Sequence, residues 1–172
     1  MGPIIPLSPR YHSHMPTIAL PDGSTRSFDA PISVADVALD IGAGLAKAAL
    51  GGVVDGVLVD CSHVIHNDAT LAIVTGPRGK ADPSVDALFL MRHSAAHVMA
   101  EAIEQLFPGV SLVYGPPVEG GFYYDIAMPD GVQISSDDFE RIEASMADIM
   151  AQDRPFTRHD VPVDEGMKRL TS

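Results

Sequence analysis

Thr17-Ile18-Ala19-Leu20-Pro21-Asp22-Gly23-Ser24-Thr25-Arg26-Ser27-Phe28 decides how the first half of the chain folds. Two short strand-forming stretches flank Pro-Asp-Gly, turn chemistry that brings them together as a hairpin. Moving outward, Ser33 precedes Val34-Ala35-Asp36-Val37-Ala38-Leu39. Its Ser-x-x-Asp spacing resembles a capping box with Asp in place of Glu or Gln, and it predicts a short helix ended by Gly42 and Gly44. Val53-Val54 and Val57-Leu58-Val59 make a second hairpin around Asp55-Gly56, and a last strand runs from Thr70 to Val74. The order ββαβββ over residues 15–77 predicts a half-open sheet wrapped on one helix.

Residues 1–14 hold three prolines, two histidines and no hydrophobic period, and read as a disordered lead-in. The pattern starts at Met15, a candidate true start. Gly76 to Ser84 has linker composition, with 78–84 taken as the linker itself. The second region, 85–172, opens with a helix from Val85 to Phe107. Its apolar stripe is read as Leu88, Met91, Ala95, Val98, Met99, Ala102 and Leu106. Gly115-Pro116-Pro117 reads as a rigid turn between strands at Ser111 to Tyr114 and Gly121 to Ile126. Ser135-Ser136-Asp137-Asp138 caps an acidic helix with Phe139, Ile142, Met146 and Ile149 inward, stopped by Asp153-Arg154-Pro155. Phe156 to Val161 reads as a strand, and a helix begins after Pro162.

The 172 residues are 46% apolar and 20% charged, which excludes a disordered chain. No apolar run reaches the roughly 20 residues of a membrane helix, and the N-terminus has no secretory pattern. Cys61 is the single cysteine, so an internal disulfide framework and a Cys-rich zinc site are excluded; its use fits a reducing, cytoplasmic setting. Net charge is −12. With no basic stripe, binding of DNA or RNA by counterion release alone is not expected, and any RNA contact must be local and directed by shape, or supplied mainly by a part of the protein outside this sequence.

Two constellations can carry chemistry. His93 and His97, in Arg92-His93-Ser94-Ala95-Ala96-His97, are spaced i, i+4 on one helix face opposite the apolar stripe. They face either solvent or a cleft, where they can share a polarised water or a metal. The metalloprotease pattern is not met, since no Glu follows His93. Zinc needs further ligands, while Cys61 lies in the other region and His159 stands alone on its strand. The second constellation is Gly120-Gly121-Phe122-Tyr123-Tyr124-Asp125, which as one strand puts Phe122 and Tyr124 on one face and Tyr123 and Asp125 on the other. A tyrosine there suits stacking on a nucleobase and bonding a ribose; filling a half-buried sheet is the alternative. There is no P-loop, GxGxxG or Ser/His/Asp arrangement.

Together these segments resemble the N-terminal part of the bacterial threonyl-tRNA synthetase family, from Met15 to about Val161. Leu20-Pro21-Asp22-Gly23-Ser24, Asp36 to Gly42 and Gly44-Leu45-Ala46-Lys47-Ala48 look like its TGS domain. Arg92 to His97 and Gly121-Phe122-Tyr123-Tyr124-Asp125 look like its editing domain. The resemblance implies an α+β chain: a ubiquitin-like β-grasp TGS domain over 15–77, then an incomplete editing domain over 85–172. It further implies a class II ligase that joins threonine to its tRNA with ATP and hydrolyses mischarged seryl-tRNA. By this resemblance His93 and His97 are the first two editing-site histidines. Tyr124, with Tyr123 and Asp125 beside it, is the contact for the terminal adenosine.

The family completes that pocket with a lysine, an aspartate and a Cys-x-x-x-His pair, none at a matching place here. The aminoacylation core, with the ATP, Mg2+ and zinc it implies, and the anticodon-binding domain are outside this sequence. The expectation is therefore a truncated N-terminal piece, ending within a helix start at Ser172. It would have no ligase activity of its own, and it would be monomeric although the family dimerises through its core. A free-standing editor of mischarged tRNA and a non-catalytic RNA- or protein-binding module are the alternatives.

Overall fold

The computed structural model describes residues 15–77, 79–154 and 160–170. At the quoted turn, β1 (Thr17–Ala19) and β2 (Thr25–Ser27) pair antiparallel with Ile18 opposite Arg26. Gly23 takes φ 83, and Asp22 accepts the hydroxyl of Ser24 at 2.6 Å and its amide at 2.9 Å. Those two bonds, the hydroxyl's first, hold the Asp22 carboxyl below its ordinary range. The next elements are β3 (Ile32–Ser33), α1 (Val34–Ile41) and α2 (Ala43–Ala48). Four strands follow: β4 (Ala49–Val54), β5 (Val57–Val59), β6 (Val64–Ile65) and β7 (Ala69–Thr75).

Ser33 caps α1 as its spacing predicts: its hydroxyl oxygen accepts the Asp36 amide at 3.1 Å and its proton goes to the Asp36 carboxylate at 2.5 Å. Val34, Val37 and Ala38 make the buried face at helical spacing. The sheet order is β2-β1-β7-β4-β5, with β1 and β7 parallel and the other neighbours antiparallel. That is the β-grasp arrangement. Ile18, Val34, Val37, Ile65 and Leu71 form its core. The β4–β5 turn is carried by Asp55 and Gly56, both at positive φ (47 and 83), the geometry a two-residue hairpin needs.

The sequence reading of this region requires two corrections. Gly42 caps α1, but Gly44 lies inside α2 rather than ending a helix. The β3–β6 pair, Ile32 opposite Ile65, is absent from the ββαβββ order because two-residue strands carry no period to detect.

Beyond it come α3 (Val85–Leu106), β8 (Ser111–Tyr114), β9 (Pro117–Val118), β10 (Gly121–Phe122) and β11 (Asp125–Ala127). A 3-10 turn Ser136–Asp138, α4 (Phe139–Ala151) and α5 (Val163–Leu170) complete the described elements. By contacts the chain divides into two compact units. The first takes the described residues up to Ala96 together with Pro116–Tyr123; the second takes His97–Gly115 and the described residues from Tyr124 onward.

In the second unit Ala102, Ile103, Phe107, Val110, Ile142 and Ile149 make a core, closed by Ile126, Met128 and Met146. Arg141 joins α4 to α3. Its guanidinium lies 5.1 Å from the Phe107 ring centroid, donates to Leu106 O at 3.4 Å and pairs with Asp138 at 3.2 Å. Ser135 and Asp138 form a full capping box, and the Ser135 amide is the main reason the Asp138 carboxyl sits below its ordinary range.

Here too the expected faces shift. Met91, placed in the stripe of α3, is exposed, and the buried positions of the helix are Ala87, Ala96, Ala100, Ala102 and Ile103. The inner face of α3 is thus built largely of alanines, which allow close approach but weigh little in a hydropathy pattern. Phe139, expected inward, is 57% exposed. It is the first residue of α4, one turn ahead of Ile142, the first residue of that helix to be buried. The single strand expected from Gly121 to Ile126 is two. β10 pairs with β9 and β11 with β8, with a register shift between Asp125 and Ile126. Pro117, read as part of a turn, opens β9 opposite Phe122. Most of the strand expected at Phe156 to Val161 lies outside the described residues, and Asp160 and Val161 have no regular structure. Among the described residues no helix is long and apolar enough to cross a membrane.

Candidate functional site

The helix α3 sets the positions of both histidines. Ala96 is fully buried, and His93 and His97, on either side of it in sequence, are both exposed. Being four residues apart, they stand one helical turn from each other on one continuous helix. His93 belongs to the first unit and His97 opens the second. The His93 ring meets Phe89, one turn earlier, edge to face with centroids 6.1 Å apart. Neither histidine is a core residue, as their placement on the helical wheel predicts.

In the first unit Arg92, the residue before His93, donates from Nη1 to Val118 O at 3.1 Å, tying α3 to β9. Between Val85, Leu88, Phe89 and Arg92 on one side and Pro117 to Glu119 on the other lies an open groove of about 330 Å³. Neither Arg92 nor Phe89 stands out as a site residue in the sequence. The one signal for Phe89 is its i, i+4 distance from His93.

As zinc ligands the described residues fall short. Two imidazoles are half of a tetrahedral set, and no group of three or more His, Cys, Asp or Glu suited to a metal occurs among the described residues. At Cys61, burial first, and Asp60 second, push the thiol above its ordinary value, which disfavours the thiolate. His159 lies outside the described residues. A histidine imidazole is a side chain able to orient a water and take its proton.

The aromatic constellation is interrupted as a strand yet keeps its alternation: Phe122, Tyr124 and Ile126 are half-buried while Tyr123, Asp125 and Ala127 are exposed. Tyr123 falls in the first unit, Tyr124 and Asp125 in the second. Within the second unit the Tyr124 ring lies directly against Gly115. A Cβ on Gly115 would fall well inside contact distance of ring atoms Cγ, Cδ2 and Cε2. The Tyr124 hydroxyl makes no hydrogen bond to a described residue. Asp125 stands opposite Tyr114 in the β8–β11 pair.

Comparison with known proteins adds to this geometry. Residues 16–75 match the family model of the TGS domain. A threonine–tRNA ligase of Thiobacillus denitrificans is 51% identical over 154 residues, which is 90% of this chain and 23% of that protein. Those of Marinobacter nauticus and Polynucleobacter asymbioticus are 49% and 46% identical over the same length and shares. The chain matches the N-terminal region of threonine–tRNA ligase. The likeness to threonine–tRNA ligase is not confined to the TGS residues, because 154 residues of a 172-residue chain necessarily include positions 93 to 125. The chain spans about a quarter of the length of the threonine–tRNA ligases it matches.

Proposed function

We propose that this chain contributes the TGS domain and the leading part of a hydrolytic editing domain to a threonine–tRNA ligase. In this reading the domains run over 15–77 and 85–172, joined by a linker at 78–84. The partner is threonine-specific tRNA and the setting is the cytoplasm. ATP, Mg2+ and zinc serve an aminoacylation core outside these residues, and that core is what dimerises; the isolated chain is a monomer. The observation that carries the reading is the half-identical match to threonine–tRNA ligases across a stretch containing His93, His97 and Tyr124.

The reaction assigned to His93 and His97 is hydrolysis of a mischarged seryl ester. An imidazole orients a water and takes its proton as the water oxygen adds to the ester carbonyl. The bond between that carbon and the ribose oxygen then breaks, the ribose oxygen regains a proton, and serine and tRNA leave. Tyr124, flanked by Tyr123 and Asp125, holds the terminal adenosine. Serine and threonine share a hydroxyl, so the pocket must reject threonine through its methyl. A methyl distinguishes substrates by only about 1–3 kcal/mol, which is why a second, hydrolytic sieve is useful.

The test is hydrolysis of seryl-tRNA by the polypeptide that carries these residues, with threonyl-tRNA as control. Selective loss of the seryl ester supports the reading. Tight tRNA binding with no hydrolysis would replace it with a non-catalytic RNA-binding module.

A further inference from the structure

Gly115 has a backbone conformation that any residue can adopt, since it is absent from the glycines at positive φ. Main-chain strain therefore gives no reason for a glycine here. The reason is the neighbour: ring atoms Cγ, Cδ2 and Cε2 of Tyr124 occupy the space a Cβ would need. Both residues are half-buried, and the Tyr124 hydroxyl is not spent on any described residue. A tyrosine held by its ring, with its hydroxyl uncommitted, is arranged to offer that hydroxyl to a ligand.

We propose that Gly115 is a positioning residue for tRNA binding: its bare Cα is the seat that fixes the Tyr124 ring so that ring and hydroxyl meet the terminal nucleoside of aminoacyl-tRNA. This rests on the editing reading above. A Cβ at position 115 forces a shift where it meets the ring, and a ring moved off its seat carries its hydroxyl with it. Gly115 touches neither the ester nor the water, so its effect falls on substrate binding and passes entirely through Tyr124.

The experiment compares wild type, Gly115→Ala, Tyr124→Ala and the Gly115→Ala/Tyr124→Ala double variant in the full polypeptide, with seryl-tRNA as substrate. The expected result is a KM raised about tenfold by Gly115→Ala with kcat little changed, and no further effect of Gly115→Ala once the ring is gone, the non-additivity of a coupled pair. If Gly115→Ala fails to fold while the double variant folds, the contact serves folding rather than substrate binding, and the proposal is overturned. A fall in kcat at constant KM, or an equal loss from Gly115→Ala in the Tyr124→Ala background, overturns the proposal. The ring resonances of Tyr124 give a readout without activity, and Gly115→Ala leaving them unmoved also overturns it. A wild type that does not hydrolyse seryl-tRNA removes the editing reading itself, and the positioning role with it, whatever the ring resonances do.

Discussion

Asp55 and Thr70 are joined by three hydrogen bonds. Asp55 Oδ1 accepts the Thr70 amide at 2.8 Å and its hydroxyl at 2.9 Å, and the Asp55 amide donates to the Thr70 carbonyl at 3.1 Å. The turn between β4 and β5 is thereby fastened to the start of β7, fifteen residues away in sequence. Asp55→Ala loses both the left-handed tolerance of an Asx residue and its acceptor, whereas Asp55→Asn keeps the first and part of the second. The melting temperature is expected to order as wild type above Asp55→Asn above Asp55→Ala.

The same bonds set a pH dependence. The amide and then the hydroxyl of Thr70 hold the Asp55 carboxyl below its ordinary 3.8. A depressed folded value means its contribution is present above the unfolded value and is lost as pH falls through the folded one. Asp22 and Asp138 share this direction. Thermal melts should therefore weaken below about pH 4, with Asp55→Ala showing a shallower acid slope than wild type.

Gly52 sits in β4 where a Cβ would lie 2.7 Å from Leu71 Cδ1 and 2.9 Å from Val34 Cγ1, both in the β-grasp core. Gly52→Ala overpacks that core and should cost about 1–3 kcal/mol in urea denaturation. In the second unit Ile103 is only 3% exposed, and Ile103→Ala should cost about 2–5 kcal/mol by leaving a cavity.

His93 and His97 are exposed, so replacing either with alanine should cost at most about 1.5 kcal/mol of stability, the loss of the Phe89 ring contact included for His93. If the proposed editing function holds, seryl-tRNA hydrolysis should nevertheless fall by roughly 10²–10⁴, the usual loss with a general base. Denaturation curves and deacylation assays on the same variants separate the two effects.

The β-grasp half was legible because its signals are local: the turns at Asp22-Gly23 and Asp55-Gly56 and the Ser33 cap each declare themselves within a few residues. The β3–β6 pair was not, because Ile32 and Ile65 meet only through tertiary folding. In α3 the large apolar residues pointed to a stripe that includes exposed Met91, while Ala96 and Ala100, which are buried, carry little hydropathy of their own. For the candidate site, the exposure of His93 and His97 followed from their place on the helical wheel opposite the apolar stripe. The contact of Tyr124 with Gly115 did not, because a glycine before two prolines reads as a turn whatever ring lies on it.

The central claim is that this sequence functions as part of a threonine–tRNA ligase, and the mass of the native polypeptide tests it most directly. An antibody raised against residues 15–77 should detect, in an extract of the source cells, a protein several times heavier than 18.2 kDa. A single band at 18.2 kDa would contradict the account, because a chain of that size would have to act by itself.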